Sequence, residues 1–258
     1  MLSRARNSNS RSPRPRLTAL AAAVMVAALA GGLASSAGAE RAIELGKTRA
    51  TPKPACPDNP RTEFRNECQI TGQVTGFQRK AAGKKGLFRV REQGRIVAWS
   101  IDLAKPAKNE REAFGEAAST KAFGESPTAG ISILRKDGKR KFKLVRASPI
   151  MKVQAYYGQK PVITLDEPLF AKKGDIVALT TVTWLPSFAF KGQTNNEEWV
   201  GSRPQKDCEV PRSVPAEKRL QYFFDHTRPH RKVGSTRRYA CKYTQARLLY
   251  WAYFVPAN

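Results

Sequence analysis

The feature that most constrains the fold is a succession of short segments rich in valine, isoleucine, threonine and aromatic residues from residue 67 onward. Glycine and proline separate these segments at the spacing typical of antiparallel strands. Residues 95–103 are apolar on both faces of the expected strand, so this strand should be covered on both sides. The one helix candidate is 109–123, which Gly115 and Gly124 keep short. We therefore predict an all-β fold, a two-sheet antiparallel β-sandwich with jelly-roll-like connectivity.

The pattern is regular enough to predict individual strands and one hairpin. Asp137-Gly138 separates two segments of β-type composition, and glycine tolerates the positive φ of a type I′ turn. The last strand is apolar on both faces and should lie centrally in its sheet. The predicted strands are 69–77, 95–103, 130–135, 141–145, 151–157, 161–165, 175–183 and 246–255.

Residues 1–39 have the features of a secretory signal peptide. Five arginines without an acidic residue precede an uncharged run over 17–33, and Ala37 and Ala39 stand in an A-x-A arrangement. Cleavage before Glu40 would give a secreted protein, extracellular or associated with the cell wall. The alternative is an uncleaved anchor, because about 17 apolar or small residues lie at the lower edge of a membrane span.

The chain is strongly basic. Its formal net charge is +25, and loss of the five leader arginines would leave +20. The basic residues form short clusters along the chain, which favours a basic folded surface over a disordered basic tail. Such a surface attracts polyanions. Outside a bacterial cell these include an anionic cell-wall polymer and acidic polysaccharide, while the alternative is a basic protein without such a partner.

Four cysteines in an exported chain favour disulfides over free thiols. Three pairings are possible, and we predict the local one, Cys56 with Cys68 and Cys208 with Cys241. Each pair brackets a segment with little hydrophobic periodicity, and each bond should stabilise the fold by about 3 kcal/mol. A zinc site is the rival interpretation, although the sequence has no C-x-x-C pair.

The chain after the leader divides into two parts. Residues 40–66 are proline-rich and predicted to be extended, whereas 67–258 form one β-sandwich domain. Within that domain, 184–243 is a long segment without a clear strand period, in which rings and cations interleave. Aromatic faces among cations suit acidic sugars or other polyanions, so this segment is the predicted binding region. The alternative is that its rings cap the open edge of the sandwich.

The candidate binding residues share an aromatic, imidazole or cationic side chain within this segment. They are Trp184, Trp199, Tyr222, His226, Arg228, His230, Arg231, Lys232, Arg237 and Arg238. We expect replacement of the four cations at 231, 232, 237 and 238 to weaken binding more than replacement of the hairpin cations 139–141.

No catalytic, metal or cofactor residues are predicted. His226 and His230 are spaced as two metal ligands on a helix would be, but Pro229 disturbs a helix and Arg228 repels a cation. The adjacent acids at 166–167 and 197–198 do not by themselves face each other across a sugar. The sequence carries no nucleophile-elbow signature and no dinucleotide-binding glycine motif.

Three segments carry a resemblance to known proteins: GRIVAWS at 94–100, ISILR at 131–135, and Pro168-Leu169 followed by KGDIVAL at 173–179. Over about 68–185 and the last strand, the chain resembles a group of exported β-sandwich proteins of high-GC Gram-positive bacteria. The resemblance implies export and a sandwich and supplies no catalytic residue.

The combined prediction is an exported, non-catalytic, envelope-associated module that binds an anionic polymer or surface. Two other classes remain open. One is a structural or protein-interaction component of the envelope, which a large uncharged apolar patch would favour. The other is a carbohydrate-active enzyme, which two facing carboxylates in a cleft would favour.

Overall fold

The computed structural model describes residues 42–54, 70–111, 124, 126–190, 195–215, 218, 222, 225–226, 228–244 and 246–257. These residues all belong to one unit, Glu40–Asn258. The signal peptide prediction and the Cys56–Cys68 pairing fall outside the described residues. Among the described helices, none is both long and apolar enough to cross a membrane.

The described chain is almost entirely β-structure. It includes the short α-helix α1 (Lys108–Arg111), and 3₁₀ turns lie at Gln154–Tyr156 and Gln205–Asp207. The strands are β1 (Ile43–Leu45), β2 (Val74–Ala81), β3 (Lys84–Lys85), β4 (Gly94–Ile101), β5 (Thr128–Lys136), β6 (Lys141–Ala147), β7 (Met151–Lys152), β8 (Val162–Ala171), β9 (Ile176–Thr181), β10 (Phe188–Phe190), β11 (Glu198–Gly201), β12 (Thr236–Arg238), β13 (Cys241–Tyr243), β14 (Ala246–Leu248) and β15 (Tyr250–Pro256).

The strands form a small and a large antiparallel sheet, with β10 and β14 paired separately. The small sheet has the order β1-β15-β4-β8, and the large one follows β12-β6-β5-β9-β2-β11-β13, with β3 beside β2 and β7 beside β5. The small and large sheets contact each other through buried side chains. The Tyr250 hydroxyl on β15 donates a hydrogen bond to the Val177 carbonyl on β9 at 3.0 Å. The Phe88 ring stacks on Tyr250 with centroids 4.3 Å apart. The predicted all-β sandwich is confirmed.

The large sheet is curled into a half-barrel because its two ends are joined by the chain. β12 and β13 lie at opposite ends of the strand order, yet only Tyr239 and Ala240 separate them. Three peptide steps span at most about 11 Å, so the two ends must approach each other. The link is held on both sides: Tyr239 N–H donates to the Arg140 carbonyl at 2.7 Å, and Ala240 N–H to the Arg203 carbonyl at 3.0 Å.

The hairpin between β5 and β6 is confirmed, but its predicted two-residue turn is wrong. Asp137 N–H donates to the Lys141 carbonyl at 2.9 Å, so residues 138–140 form the loop. Gly138 has φ +101° as expected, and Arg140 also adopts a left-handed conformation, with φ +56°. The loop therefore includes Arg140, whose carbonyl accepts from Tyr239 N–H at 2.7 Å.

Other predicted elements differ in extent. The last strand is two strands in different sheets, β14 and β15, and the break falls at Leu249, whose N–H donates to the Ser187 carbonyl at 3.1 Å. The strand predicted at 151–157 is β7 followed by the first 3₁₀ turn. The helix predicted at 109–123 is described only as α1, and 112–123 lie outside the described residues.

The segment 184–243 was predicted to be irregular, which is wrong for several parts of it. It contributes β10, β11, β12 and β13, and the last two close the half-barrel. The Cys208–Cys241 disulfide is confirmed, with the two Cα atoms 5.0 Å apart. The bond connects β13 to the turn that follows β11.

Candidate functional site

A cavity of about 500 Å³ opens beside the curled sheet, and its lining has two chemically distinct parts. We call it the barrel pocket. The apolar part, its floor, consists of Phe77, Phe88, Phe142, Ile176, Val200 and Tyr239. The basic part, its rim, consists of the exposed residues Arg79, Lys85, Arg89, Arg91, Lys136 and Arg140. Gln78 and Gly86 complete the lining.

Strand register brings floor and rim together. Phe77 and Arg79 both lie on β2, and Arg79 is the extra residue at a bulge there, because Lys80 pairs with Glu198 and Gln78 with Trp199. Phe77 pairs with Val200 on β11, and Lys136 on β5 pairs with Phe142 on β6, so each pair shares a face. The Phe77 and Phe142 rings meet edge to face at 5.2 Å, which joins the two pairs into one surface.

The floor is held by ring contacts that need no ligand. Tyr239 lies 5.2 Å from Phe142 and 6.0 Å from Phe77, measured between ring centroids. Tyr239 is 2% exposed and Phe142 is half-buried. Burial raises the pKa of the Tyr239 hydroxyl well above its usual value, so this group stays protonated and neutral. The floor is therefore a preformed, uncharged surface.

The rim is positively charged with little internal compensation. None of the lining residues is acidic. Arg79 forms an ion pair with Glu198, Nε to Oε1 at 2.9 Å, while its side chain remains 55% exposed. In the part of the chain that the structure describes, the other five rim cations form no ion pair with a carboxylate. An anion entering the pocket would meet uncompensated positive charge on several sides.

A second cavity of about 380 Å³ adjoins the barrel pocket and shares Arg79, Arg140, Val200 and Tyr239 with it. Its lining also includes Glu198 and Glu209. These two carboxylates give the second cavity both negative and positive side chains. An anionic ligand is therefore better matched by the barrel pocket.

Two of the predicted binding rings are structural. Trp184 and Trp199 are 0% and 5% exposed and neither lines the barrel pocket, so both rings lie in the interior. The Trp199 ring instead stacks on Tyr243 at a centroid distance of 4.3 Å. Trp184 lies 6.2 Å from Tyr157. Both rings fill the interior, which agrees with the alternative interpretation that the rings of 184–243 cover the open edge of the sandwich.

His230 is also buried, and its ring is held by other residues of the protein. Its Nδ1 lies 3.1 Å from the Tyr239 hydroxyl, and its Nε2 lies 3.0 Å from the Ser235 carbonyl. Its backbone N–H donates to Thr75 Oγ1 at 3.0 Å. Both ring nitrogens are thus occupied by the protein. Among the described residues, no group of three or more His, Cys, Asp or Glu side chains could hold a metal ion.

The remaining predicted site residues lie nearer the surface, but they do not form the barrel pocket. His226 is exposed and stacks on Tyr222 with ring centroids 3.9 Å apart. Arg237 Nη1 donates to the carbonyl of the exposed Arg228 at 3.0 Å. The other three predicted cations are also exposed: Arg231, Lys232 and Arg238. None of the ten predicted residues lines the barrel pocket.

The acidic pairs considered for sugar hydrolysis have other surroundings. Glu197 is buried and accepts hydrogen bonds from Gln78 Nε2 at 3.1 Å and Ala82 N–H at 3.0 Å. Glu198 is paired with Arg79. Asp166 and Glu167 lie on β8 and line a separate cavity of about 420 Å³. The Glu197 and Glu198 carboxylates therefore bind the protein's own donors.

We predict that the His230 network makes stability depend on pH. Burial lowers the pKa of His230 below 6.5 and the nearby Arg237 lowers it further, while the hydrogen bond to Ser235 opposes them. Around and below pH 6.5, the histidine therefore binds more protons in the unfolded chain than in the folded one. The free energy of unfolding should fall as the pH drops through about 6.5. The slope should not exceed about 1.36 kcal/mol per pH unit, the value for one proton.

Urea unfolding between pH 7 and about 5.5 measures this slope, above the range where most carboxylates titrate. The variant His230→Gln should lose the histidine contribution, whereas His226→Gln should retain it because it leaves His230 and its hydrogen-bond partners in place. An unchanged slope in His230→Gln would show that another group titrates in this window.

The chemistry of the barrel pocket is carried by its own residues: an apolar floor, six cations and no carboxylate in the lining. Comparison with known proteins adds no family to this description. No protein-family model matches the chain, and no curated protein and no solved structure matches it.

Proposed function

We propose that this chain is an exported, non-catalytic binding module of the cell envelope, and that it binds an anionic group of its partner in the barrel pocket. The observation that carries the proposal is the rim of six cations in a lining without an acid. Export is supported by the signal-type leader and by the disulfide, since such bonds persist in oxidising compartments.

The non-catalytic part of the proposal is supported by the chemistry of the pocket. Its lining contains no Ser, Cys, His, Asp or Glu side chain. Tyr239 supplies the single hydroxyl of that lining, and burial raises the pKa of this group well above its usual value. Such a lining provides charge and apolar contact, which are means of binding.

The proposed site, the barrel pocket, differs from the binding region 184–243 that the sequence predicts. The segment 184–243 contributes Val200 and Tyr239 to the floor and no cation to the rim. The rim cations come from β2, from β3 and the loop after it, from β5 and from the hairpin loop. Binding should therefore depend on these cations more than on the exposed cations of the 228–238 region.

The test compares two variants that remove the same charge. Arg89→Gln/Arg91→Gln/Lys136→Gln changes the rim, and Arg231→Gln/Lys232→Gln/Arg238→Gln changes exposed cations outside the pocket. Three exposed charge contacts contribute roughly 0.5 kcal/mol each, so the rim variant should bind polyphosphate about tenfold more weakly at low salt. The other variant should change the affinity much less.

The affinity is measured by calorimetric titration at several salt concentrations. Wild-type affinity should fall as salt rises, and the rim variant should show a shallower salt dependence because fewer ions are released. Equal losses of affinity in the two variants would indicate diffuse electrostatic attraction instead of binding at the barrel pocket. No binding of polyphosphate at low salt would overturn the proposed function.

A further inference from the structure

We infer that the barrel pocket takes an amphipathic anion, a short aliphatic group joined to a phosphate, with the apolar part on the floor and the anion at the rim. This inference rests on the proposed function and narrows its ligand. It starts from the composition of the lining, where six cations surround six apolar or aromatic residues.

A site for a purely hydrophilic polyanion needs exposed cations and no apolar floor. Here the floor is built from three phenylalanines, one tyrosine, one isoleucine and one valine, of which Phe142 is half-buried and the other five are 2–6% exposed. Apolar surface in contact with water is unfavourable, and covering it with an aliphatic group contributes roughly in proportion to the area removed from water. The floor therefore favours a ligand with an apolar portion.

The floor is ready for such a group without rearrangement. Phe77, Phe142 and Tyr239 hold one another through ring contacts of 5.2 to 6.0 Å. Phe88 is fixed from behind by its 4.3 Å stack on Tyr250. Because these rings are held by one another, binding costs little side-chain entropy.

The arrangement of charge fits the same ligand. Lysine and arginine keep their charged ends in water while their aliphatic stems cover apolar surface. The exposed rim residues can thus meet a phosphate at the mouth while the floor below stays dry. A planar guanidinium binds two phosphate oxygens at once, and four of the six rim cations are arginines.

The size of the pocket limits the ligand to a small molecule or a chain end. Its volume of about 500 Å³ falls within the range of roughly 300–1,000 Å³ that small-molecule sites occupy. A polymer strand would extend beyond it. Free alkyl phosphates and the phosphate-bearing lipid end of an envelope component share the chemistry that the pocket recognises.

The test is a calorimetric titration with butyl, hexyl and octyl phosphate, with inorganic phosphate as the head group alone. Affinity should rise by up to about fourfold for each added methylene until the open part of the floor is covered, so octyl phosphate should bind more tightly than butyl phosphate. The rim variant Arg89→Gln/Arg91→Gln/Lys136→Gln should weaken all three ligands by a similar factor and leave the dependence on chain length unchanged.

Phe142→Ala removes a half-buried floor ring and should reduce the dependence on chain length while retaining inorganic phosphate and polyphosphate binding. If this variant does not fold, the dependence of wild-type affinity on alkyl chain length tests the inference by itself. Polyphosphate binding with no dependence on chain length would overturn the amphipathic ligand and leave the proposed function standing. Absence of binding for every probe at low salt would overturn both.

A competition experiment separates the two sources of ligand, free alkyl phosphates and a lipid that carries a phosphate. Vesicles that contain a phosphate-headed lipid should displace octyl phosphate from the protein, whereas vesicles without that lipid should not.

Discussion

Replacing Trp199 by alanine should lower the free energy of unfolding by about 3–5 kcal/mol, the usual cost of removing a large buried ring. Its ring is 5% exposed and stacks on Tyr243 at 4.3 Å. It also lies over Gly76, where an added Cβ would come within 3.0 Å of the ring. Tyr243 and Gly76 lie on strands of the large sheet and Phe188, whose ring is 5.9 Å from Trp199, lies on β10, so these neighbours can close the resulting cavity only in part. Urea unfolding monitored by far-ultraviolet circular dichroism measures the loss.

The control is Trp199→Phe, which keeps a ring opposite Tyr243 and should cost clearly less than the alanine variant. Polyphosphate affinity of the folded Trp199→Ala protein should stay near the wild-type value, since Trp199 does not line the barrel pocket. A variant of full stability with weakened binding would instead make Trp199 a ligand contact, as its position among cations in the sequence indicates.

Strands buried on both faces were predictable because their sequence must be apolar throughout. β9 is buried at all six positions, and its sequence, IVALTT, contains only apolar residues and threonine. β4 and β15 in the small sheet are also mostly apolar and mostly buried, although Arg95 on β4 is exposed. The strands of 184–243 escaped prediction because they have only three or four residues. In β12, the sequence TRR shows no alternation, and pairing with β6 alone defines it as a strand.

The site was harder to predict than the fold because its residues are distant in sequence. Arg79 and Lys136 belong to separate basic pairs, and nothing in their spacing indicates that β2 and β5 lie on the same curled sheet. Arg140 belongs to the hairpin that we expected to matter less, yet it lines the barrel pocket. Conversely, the interleaved rings of 184–243 indicated an exposed surface, although Trp184 and Trp199 serve the interior.

Removing the Cys208–Cys241 bond should lower the free energy of unfolding by about 3.7 kcal/mol, the loop-entropy value for a separation of 33 residues. The bond fixes the start of β13, two residues after Tyr239, and therefore holds the link that closes the half-barrel. The segment it encloses has few strand residues among those described, so in the unfolded chain it would be free to adopt many conformations. The double variant Cys208→Ser/Cys241→Ser tests this by urea unfolding without reductant.

The single variant Cys208→Ser is the matched control, and it should lose as much stability as the double variant because either change breaks the same bond. The loss should also reach the barrel pocket. Tyr239 packs on Phe77 and Phe142 from the link beside Cys241, so a loosened link should weaken octyl phosphate binding more than inorganic phosphate binding. Unchanged stability in both variants would mean that the ladder of β11 with β13 holds this end of the sheet without the bond.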